Sequence, residues 1–214
     1  MDEQTVKTVV GEVLRQIDLR GRFKTGSTAT VGVSNRHIHV SAADLETLFG
    51  PGYKLQVLKD LSQPGQFAAK ECVTVVGRKG LLKDVRILGP ARNLTQLEIS
   101  VTDSFTLGVA PVLRDSGNVA GTPGCIILGP AGQVTIKEGV IVAARHLHLH
   151  VKDAEKFGVK DGDRISMKST GPRGAIFTNV LCRVSDKFAL DFHIDTDEAN
   201  GAMIKNGETI ELML

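Results

Sequence analysis

Hydrophobic and polar positions along this chain follow two different periods. Over residues 1–20, Val6, Val9, Val10, Val13, Leu14 and Ile17 recur at helical spacing, with Glu3, Lys7, Glu12, Arg15 and Asp18 on the other side. Gly21 and then Thr25-Gly26-Ser27-Thr28 read as a helix stop and a linker. From residue 29 onward, short β-branched runs alternate with glycine-containing turns. They predict strands over residues 31–40, 71–76, 84–88, 94–101, 126–128, 139–149, 164–167, 176–184 and 209–212. Short helices are predicted at Ala42–Phe49 and at residues 152–157. Strands this short and frequent predict a mainly β protein built of compact barrels, not a doubly wound sheet.

An internal repeat sharpens that architecture. Residues 33–49 align with 142–157 once one residue is dropped from the second helix. Each copy is a strand bearing Arg-His-aliphatic-His, then a short acidic helix, then Phe-Gly (Phe49-Gly50 and Phe157-Gly158). Ser41 is placed to cap the first helix, with Asp44 at capping-box spacing. His150 holds the matching place in the second copy, which makes it a cap or surface residue. The turn Gly129-Pro130-Ala131-Gly132 marks the join. The expected organisation is an N-terminal helix and linker over 1–28, a first small β-barrel over 29–132 and a similar one over 133–214. Two barrels facing one another bring both repeat strands to one cleft.

The repeat also carries the candidate chemistry. All six histidines fall in three clusters: Arg36-His37-Ile38-His39-Val40, Arg145-His146-Leu147-His148-Leu149-His150, and Asp191-Phe192-His193-Ile194-Asp195. Side chains two apart on a strand share a face, so each His-x-His aims two imidazoles one way and its aliphatic residues into a core. Paired neutral imidazoles suit zinc and similar cations. Two ligands do not complete such a site, and the candidates for the remainder are His193 and a carboxylate. Asp191, Asp195, Asp197 and Glu198 flank His193, but most of these read as turn and capping residues. Glu98 is a charge in an otherwise strand-like stretch, either solvent-facing or recruited to a metal. Arg36 and Arg145 are expected on the face away from the histidines, in structural or interfacial roles. Arg92, on the turn before Glu98, is a candidate fork for phosphate or carboxylate oxygens, with Arg114 a weaker one.

Composition narrows the function classes. An apolar fraction of 42%, a charged fraction of 23% and a net charge of +2 describe an ordinary globular chain with no basic block for nucleic acid. Cys72, Cys125 and Cys182 include no Cys-x-x-Cys pair, which favours buried thiols in a reducing, cytoplasmic compartment. No apolar run approaches the roughly 20 residues of a membrane span, and no signal peptide is expected. With no tryptophan and one tyrosine, stacked-base or aromatic-cage recognition is disfavoured. Walker and dinucleotide glycine loops and a serine-hydrolase elbow are absent.

Six stretches together resemble the PduL-type phosphate acyltransferase (phosphotransacylase) family. They are Ser34-Asn35-Arg36-His37-Ile38-His39-Val40, Gln63-Pro64-Gly65-Gln66-Phe67-Ala68-Ala69, and the run from Gly89-Pro90-Ala91-Arg92 to Glu98-Ile99-Ser100. The others are Gly121-Thr122-Pro123-Gly124, Arg145-His146-Leu147-His148 and His193-Ile194-Asp195-Thr196-Asp197-Glu198-Ala199-Asn200. The resemblance implies two β-barrel domains and a site for two divalent metal ions, usually zinc, at their interface. It implies reversible transfer of a short acyl group between coenzyme A and phosphate. Carried over residue by residue, His37, His39 and Glu98 would hold one metal, and His146, His148 and His193 the other. Arg92 matches the phosphate-handling arginine. Ser34, Lys59, Arg86, Leu88 and Asn200 fall where such proteins line the coenzyme A pocket. His150 departs from the expected serine and is left out of the site.

By the same resemblance, residues 1–20 are similar to encapsulation peptides that bind shell or cargo proteins of bacterial microcompartments, although some relatives are free in the cytosol. Homo-oligomerisation stays open. Two other readings use the same ligands. A dinuclear metallohydrolase would cleave acyl phosphates or thioesters with water, and a non-catalytic metal-binding microcompartment component would bind without turnover.

Overall fold

A computed structural model describes residues 27–213. The helix expected over residues 1–20 lies outside the described residues. The elements in chain order are β1 (Thr28–Ser34), β2 (His37–His39), α1 (Ala42–Phe49), β3 (Val57–Asp60), β4 (Phe67–Val76), β5 (Leu81–Gly89) and β6 (Gln96–Glu98). Then come α2 (Val101–Leu107), β7 (Leu113–Arg114), β8 (Cys125–Leu128), β9 (Gln133–Ile136), β10 (Val140–Ala143) and β11 (His146–Leu149). The last are α3 (Val151–Phe157), β12 (Arg164–Lys168), β13 (Ile176–Val184), β14 (Asp191–Asp195), α4 (Thr196–Ala202) and β15 (Thr209–Met213). Among the described residues no helix is long and apolar enough to cross a membrane.

Six strands close a barrel in the order β1-β14-β11-β13-β12-β15. The other nine form an open, curled half-barrel sheet, β7-β10-β6-β2-β5-β4-β8-β9, with β3 on β4. The mainly β, two-barrel expectation therefore holds, with one barrel closed and the other open. Each has its own apolar core. Leu147, Leu149, Met167, Phe192 and Ile194 are buried in the barrel; Ile38, Leu48, Ile87, Leu97 and Ile127 are buried under the sheet. The aliphatic residues of each His-x-His (Ile38, Val40; Leu147, Leu149) sit in these cores as the period-2 alternation requires.

The two runs expected as single strands, 31–40 and 139–149, are each broken in the middle. The chain leaves the barrel after Ser34 and enters the sheet at His37; it leaves the sheet after Ala143 and enters the barrel at His146. The exchange is reciprocal. β1 lies parallel to β14 with Gly32 opposite His193, while β10 lies parallel to β6 with Ile141 opposite Glu98. Sheet membership thus crosses the expected join at residue 132: β1 belongs to the closed barrel, and β9 and β10 belong to the open sheet. Local alternation selects a strand's face but not its partner, so this exchange is invisible in the pattern.

The repeat continues through the third ligand of each half. β2 pairs antiparallel with β6, His37 opposite Glu98, and β11 pairs antiparallel with β14, His146 opposite His193. A helix follows each third-ligand strand at once. Ser100 and Asp103 form a capping box on α2, and Asp195 and Glu198 form one on α4. The strand expected over 94–101 therefore stops at Glu98, because the Ser100 hydroxyl takes up the Asp103 N–H at 3.2 Å. Ser41 caps α1 as expected, but the Asp44 carboxylate accepts the Thr95 hydroxyl and does not return to the cap. His150 is the N-cap of α3, accepting from the Lys152 N–H at 3.1 Å.

Candidate metal centre and substrate cleft

The two crossings bring both histidine strands into the lining of one cleft of about 570 Å³, an ordinary size for a small-molecule site. In the sheet half, His37, His39 and Glu98 converge with ligand atoms within 4.8 Å of one another. His37 Nε2 lies 3.5 Å from Glu98 Oε2, and His39 Nε2 lies 3.7 Å from Glu98 Oε1. In the barrel half, His146, His148 and His193 converge within the same limit, with ring centroids 4.7–5.0 Å apart. All six line the cleft.

The same local device fixes the first imidazole of each pair. The carbonyls of Asn35 and Ala144, at the two crossings, face Nδ1 of His37 at 2.8 Å and Nδ1 of His146 at 2.9 Å. A carbonyl only accepts, so each Nδ1 carries the proton and each Nε2 keeps a lone pair toward the cleft. Burial favours the neutral form of His39, His146 and His148. It lowers His39 to about 3, with His37 acting the same way, and His146 to about 4, with His193 acting the same way. It lowers His148 to about 2. Burial opposes the Glu98 charge, but His37 and His39 in their protonated forms and the Ser116 hydroxyl hold the carboxyl below its ordinary value.

This donor set fits a divalent cation in each half. His146 Nε2 and His148 Nε2 face one another at 3.2 Å. The first must offer a lone pair, so His148 can satisfy one ring nitrogen only by leaving the other bare. The Nδ1 atoms of His39 and His148 are indeed buried with no hydrogen-bond partner. A carboxylate facing the His37 lone pair, and two imidazole Nε2 atoms facing one another, are costly arrangements that cations relieve.

Arg92 lines the cleft, with its backbone N–H bonded to the Val40 carbonyl at 2.8 Å. Burial holds its guanidinium below the usual arginine value. Its Nη1 is 3.5 Å from Ser116 Oγ, and that hydroxyl donates to Glu98 Oε1 at 2.8 Å. Of the other expected contacts, Ser34, Arg86 and Leu88 line the cleft. Lys59 on β3 and Asn200 on α4 are exposed and lie outside that lining. Arg114 is outside it too, its Nη1 bonded to the carbonyl of Leu113 at 3.0 Å. Arg36 lines the cleft with the histidines, contrary to its expected place on the opposite face, while Arg145 lies outside the lining; both make structural ion pairs. Arg36 pairs with Asp103 at 2.9 Å and Arg145 with Glu198 at 2.7 Å, each tying a crossing to the helix after the third-ligand strand.

Several cleft residues carried no sequence signal strong enough to be picked. Arg183 sits opposite His148 in the β11–β13 register and lies over the Phe188 ring at 5.9 Å. Phe188 in turn meets His148 edge-on at 4.5 Å. Ser116 lies in a loop far from the histidines in sequence. Asp191, named with the carboxylates that flank His193, lies outside the cleft lining; two residues before His193 on β14, it meets that ring and is not a cap or turn residue. Cys125 and Cys182 are buried in the two cores and pushed up to about 12 by burial, and none of the three cysteines lines the cleft.

Comparison with known proteins agrees with the motif resemblance. The family described as phosphate propanoyltransferase matches residues 30–205. A phosphate propanoyltransferase of Thermotoga maritima is 56% identical over 86% of this chain and 88% of its own. One of Rhodopseudomonas palustris is 46% identical over 99% and 98%, and one of Salmonella typhimurium 48% identical over 96% and 95%.

Proposed function

Because the chain belongs to the phosphate propanoyltransferase family and is a phosphate acyltransferase, we propose that its cleft moves a short acyl group between coenzyme A and phosphate. His37, His39 and Glu98 would hold one divalent metal ion and His146, His148 and His193 a second, both zinc by the nature of the donors. The observation that supports this most is the convergence of both three-ligand groups and Arg92 on one cleft. When bound, two such cations supply the positive charge that favours a thiolate over a thiol and draws phosphate oxygens.

The chain's own groups do the rest. Arg92 forks onto phosphate oxygens and is braced by Ser116, whose hydroxyl also holds Glu98. As thiolate attacks the carbonyl of the acyl phosphate, or phosphate that of the thioester, Arg92 stabilises the oxyanion that develops, and its collapse expels phosphate or the coenzyme A thiolate. Val33, Leu61, Leu88, Ile99, Phe188 and Ile194 give the cleft an apolar lining suited to an acetyl or propanoyl chain. Ser34, Arg86 and Leu88 take the thiol end of coenzyme A. Lys59 and Asn200, exposed outside the cleft, suit its distal end. Side-by-side placement of both substrates permits direct transfer through proximity, with no acyl-enzyme. Residues 1–20 serve in this reading as an address for microcompartment shell or cargo proteins.

A thiol-release assay with acetyl or propanoyl phosphate and coenzyme A, run beside elemental analysis, tests the reading. Two metal ions per chain are expected, with His37→Ala losing metal and turnover together. Full turnover by chelator-stripped, metal-free protein would falsify the metal role, and phosphate release that does not need coenzyme A would make the protein a hydrolase.

A further inference from the structure

The strands that carry the third ligand of each half-site also carry, two residues earlier, a buried polar side chain that the chemistry above leaves unused. On β6 it is Gln96, 2% exposed; on β14 it is Asp191, 3% exposed. Residues two apart on a strand face the same way, so each reaches the ligand beside it. Gln96 Nε2 donates to Glu98 Oε1 at 2.7 Å, and His193 Nε2 donates to Asp191 Oδ2 at 2.8 Å.

The two contacts are opposite in sense and matched to their ligands. Glu98 is an acceptor, and its neighbour supplies an amide donor. His193 is a donor through one ring nitrogen, and its neighbour supplies a carboxylate acceptor. Each supporter is itself anchored from elsewhere in the chain. Gln96 Oε1 accepts the Gly117 N–H at 2.7 Å, which sets the amide's orientation and points its NH2 at Glu98 and at Ser116 Oγ, 2.9 Å away. Asp191 Oδ2 also accepts the hydroxyl of Ser62, from the loop between β3 and β4 of the other sheet. Beside it, Gln63 clamps the same junction, donating to the Ala189 carbonyl at 3.0 Å and accepting the Ala189 N–H at 3.2 Å.

We propose that Gln96 and Asp191 are equivalent positioning residues, one per half-site, that aim Glu98 and His193 at their metals. The proposal rests on the two-metal reading above. Asp191 fixes the tautomer of His193 by holding the proton on Nε2, which leaves the lone pair on Nδ1 for a cation. Gln96 occupies one lone pair of Glu98 Oε1 and prevents the carboxylate from turning away from the cleft. Neither touches substrate, and neither would bind metal itself.

Equivalence predicts a crossed pattern. Zinc dissociation constants would be measured by chelator competition on the full chain, with Glu98→Ala and His193→Ala defining which ion belongs to which half. Gln96→Leu should weaken the ion of the Glu98 half by about 10–100-fold and leave the other unchanged. Asp191→Asn, which keeps the shape but loses the charge, should weaken only the ion of the His193 half. Asp191→Ala should weaken that ion further. Cobalt substituted into the weakened half should show an altered visible spectrum, and the metal-free variants should melt close to the metal-free wild type. Equal loss of both ions, or wild-type affinity in both variants, overturns the proposal. If the wild type takes up no second ion and His193→Ala changes nothing, the two-metal reading itself has failed and this inference falls with it.

Discussion

Gly32 on β1 lies directly opposite His193 in the parallel β1–β14 register, so any side chain there would stand beside the imidazole. A Cβ built on Gly32 would come within 2.6 Å of His193 Cδ2, 2.9 Å of Nε2 and 3.1 Å of Asp191 Oδ2. A relaxed carbon–carbon contact is about 3.6 Å, so Gly32→Ala demands roughly 1 Å of displacement. β1 cannot back away, because it is held by β14 on one side and β15 on the other. The ring must move, and the 2.8 Å contact to Asp191 goes with it. Overpacking of this kind costs about 1–3 kcal/mol. Alanine in place of glycine within a strand would otherwise favour folding by about 0.5–1 kcal/mol, so a net loss reports the clash. A misplacement of about 1 Å in a reacting constellation costs on the order of 100-fold in rate, or about 2.7 kcal/mol. The assay is metal content after gel filtration, followed by thiol release from coenzyme A with acetyl phosphate. Gly32→Ala should retain the ion of the Glu98 half and lose most of the other, with turnover down about 100-fold. Wild-type metal content together with wild-type turnover would refute the geometric reasoning.

Other substitutions probe separate parts of the site. Arg92→Ala should keep both metal ions but raise the KM for phosphate or acyl phosphate by at least about 10-fold, as loss of a buried charge-assisted contact requires; a change confined to coenzyme A affinity would contradict its role. Iodoacetamide at pH 8 should label partly exposed Cys72 well before Cys125 and Cys182, whose thiols are buried and pushed up to about 12. In the same protein, labelled acetyl phosphate should leave no stable acyl group; an adduct on any residue would replace direct transfer by a covalent route. Replacing Val9 and Val13 by Asp should spare turnover in solution while abolishing any encapsulation of the kind proposed for residues 1–20, and a fall in turnover would place the segment within the catalytic fold.

Much of this site was legible because strand geometry is local. The period of two places His37 with His39 and His146 with His148, and it buries Ile38 and Leu147 in the cores beneath. Helix caps are equally local: Ser41 and His150 are readable from the residues that follow them. Glu98 is the lone charge in a strand-like stretch, and the structure buries it against both histidines of its half. The short helix α2 escapes the pattern because its first residues, Val101 and Thr102, are β-branched and read as more strand.

What the order of residues settled unaided was the alternation that gives each histidine pair a shared face, the caps that start the helices, and the repeat that makes the halves alike. Which strand lies beside which was decided only in three dimensions. The breaks at Asn35-Arg36 and Ala144-Arg145 send β1 into one sheet and β10 into the other, and only that exchange brings six ligands, Arg92 and Arg183 to one cleft. The physical reason is range. Backbone alternation and capping act over a few residues, whereas strand pairing follows from burying two complete cores at once, to which positions more than a hundred residues apart contribute.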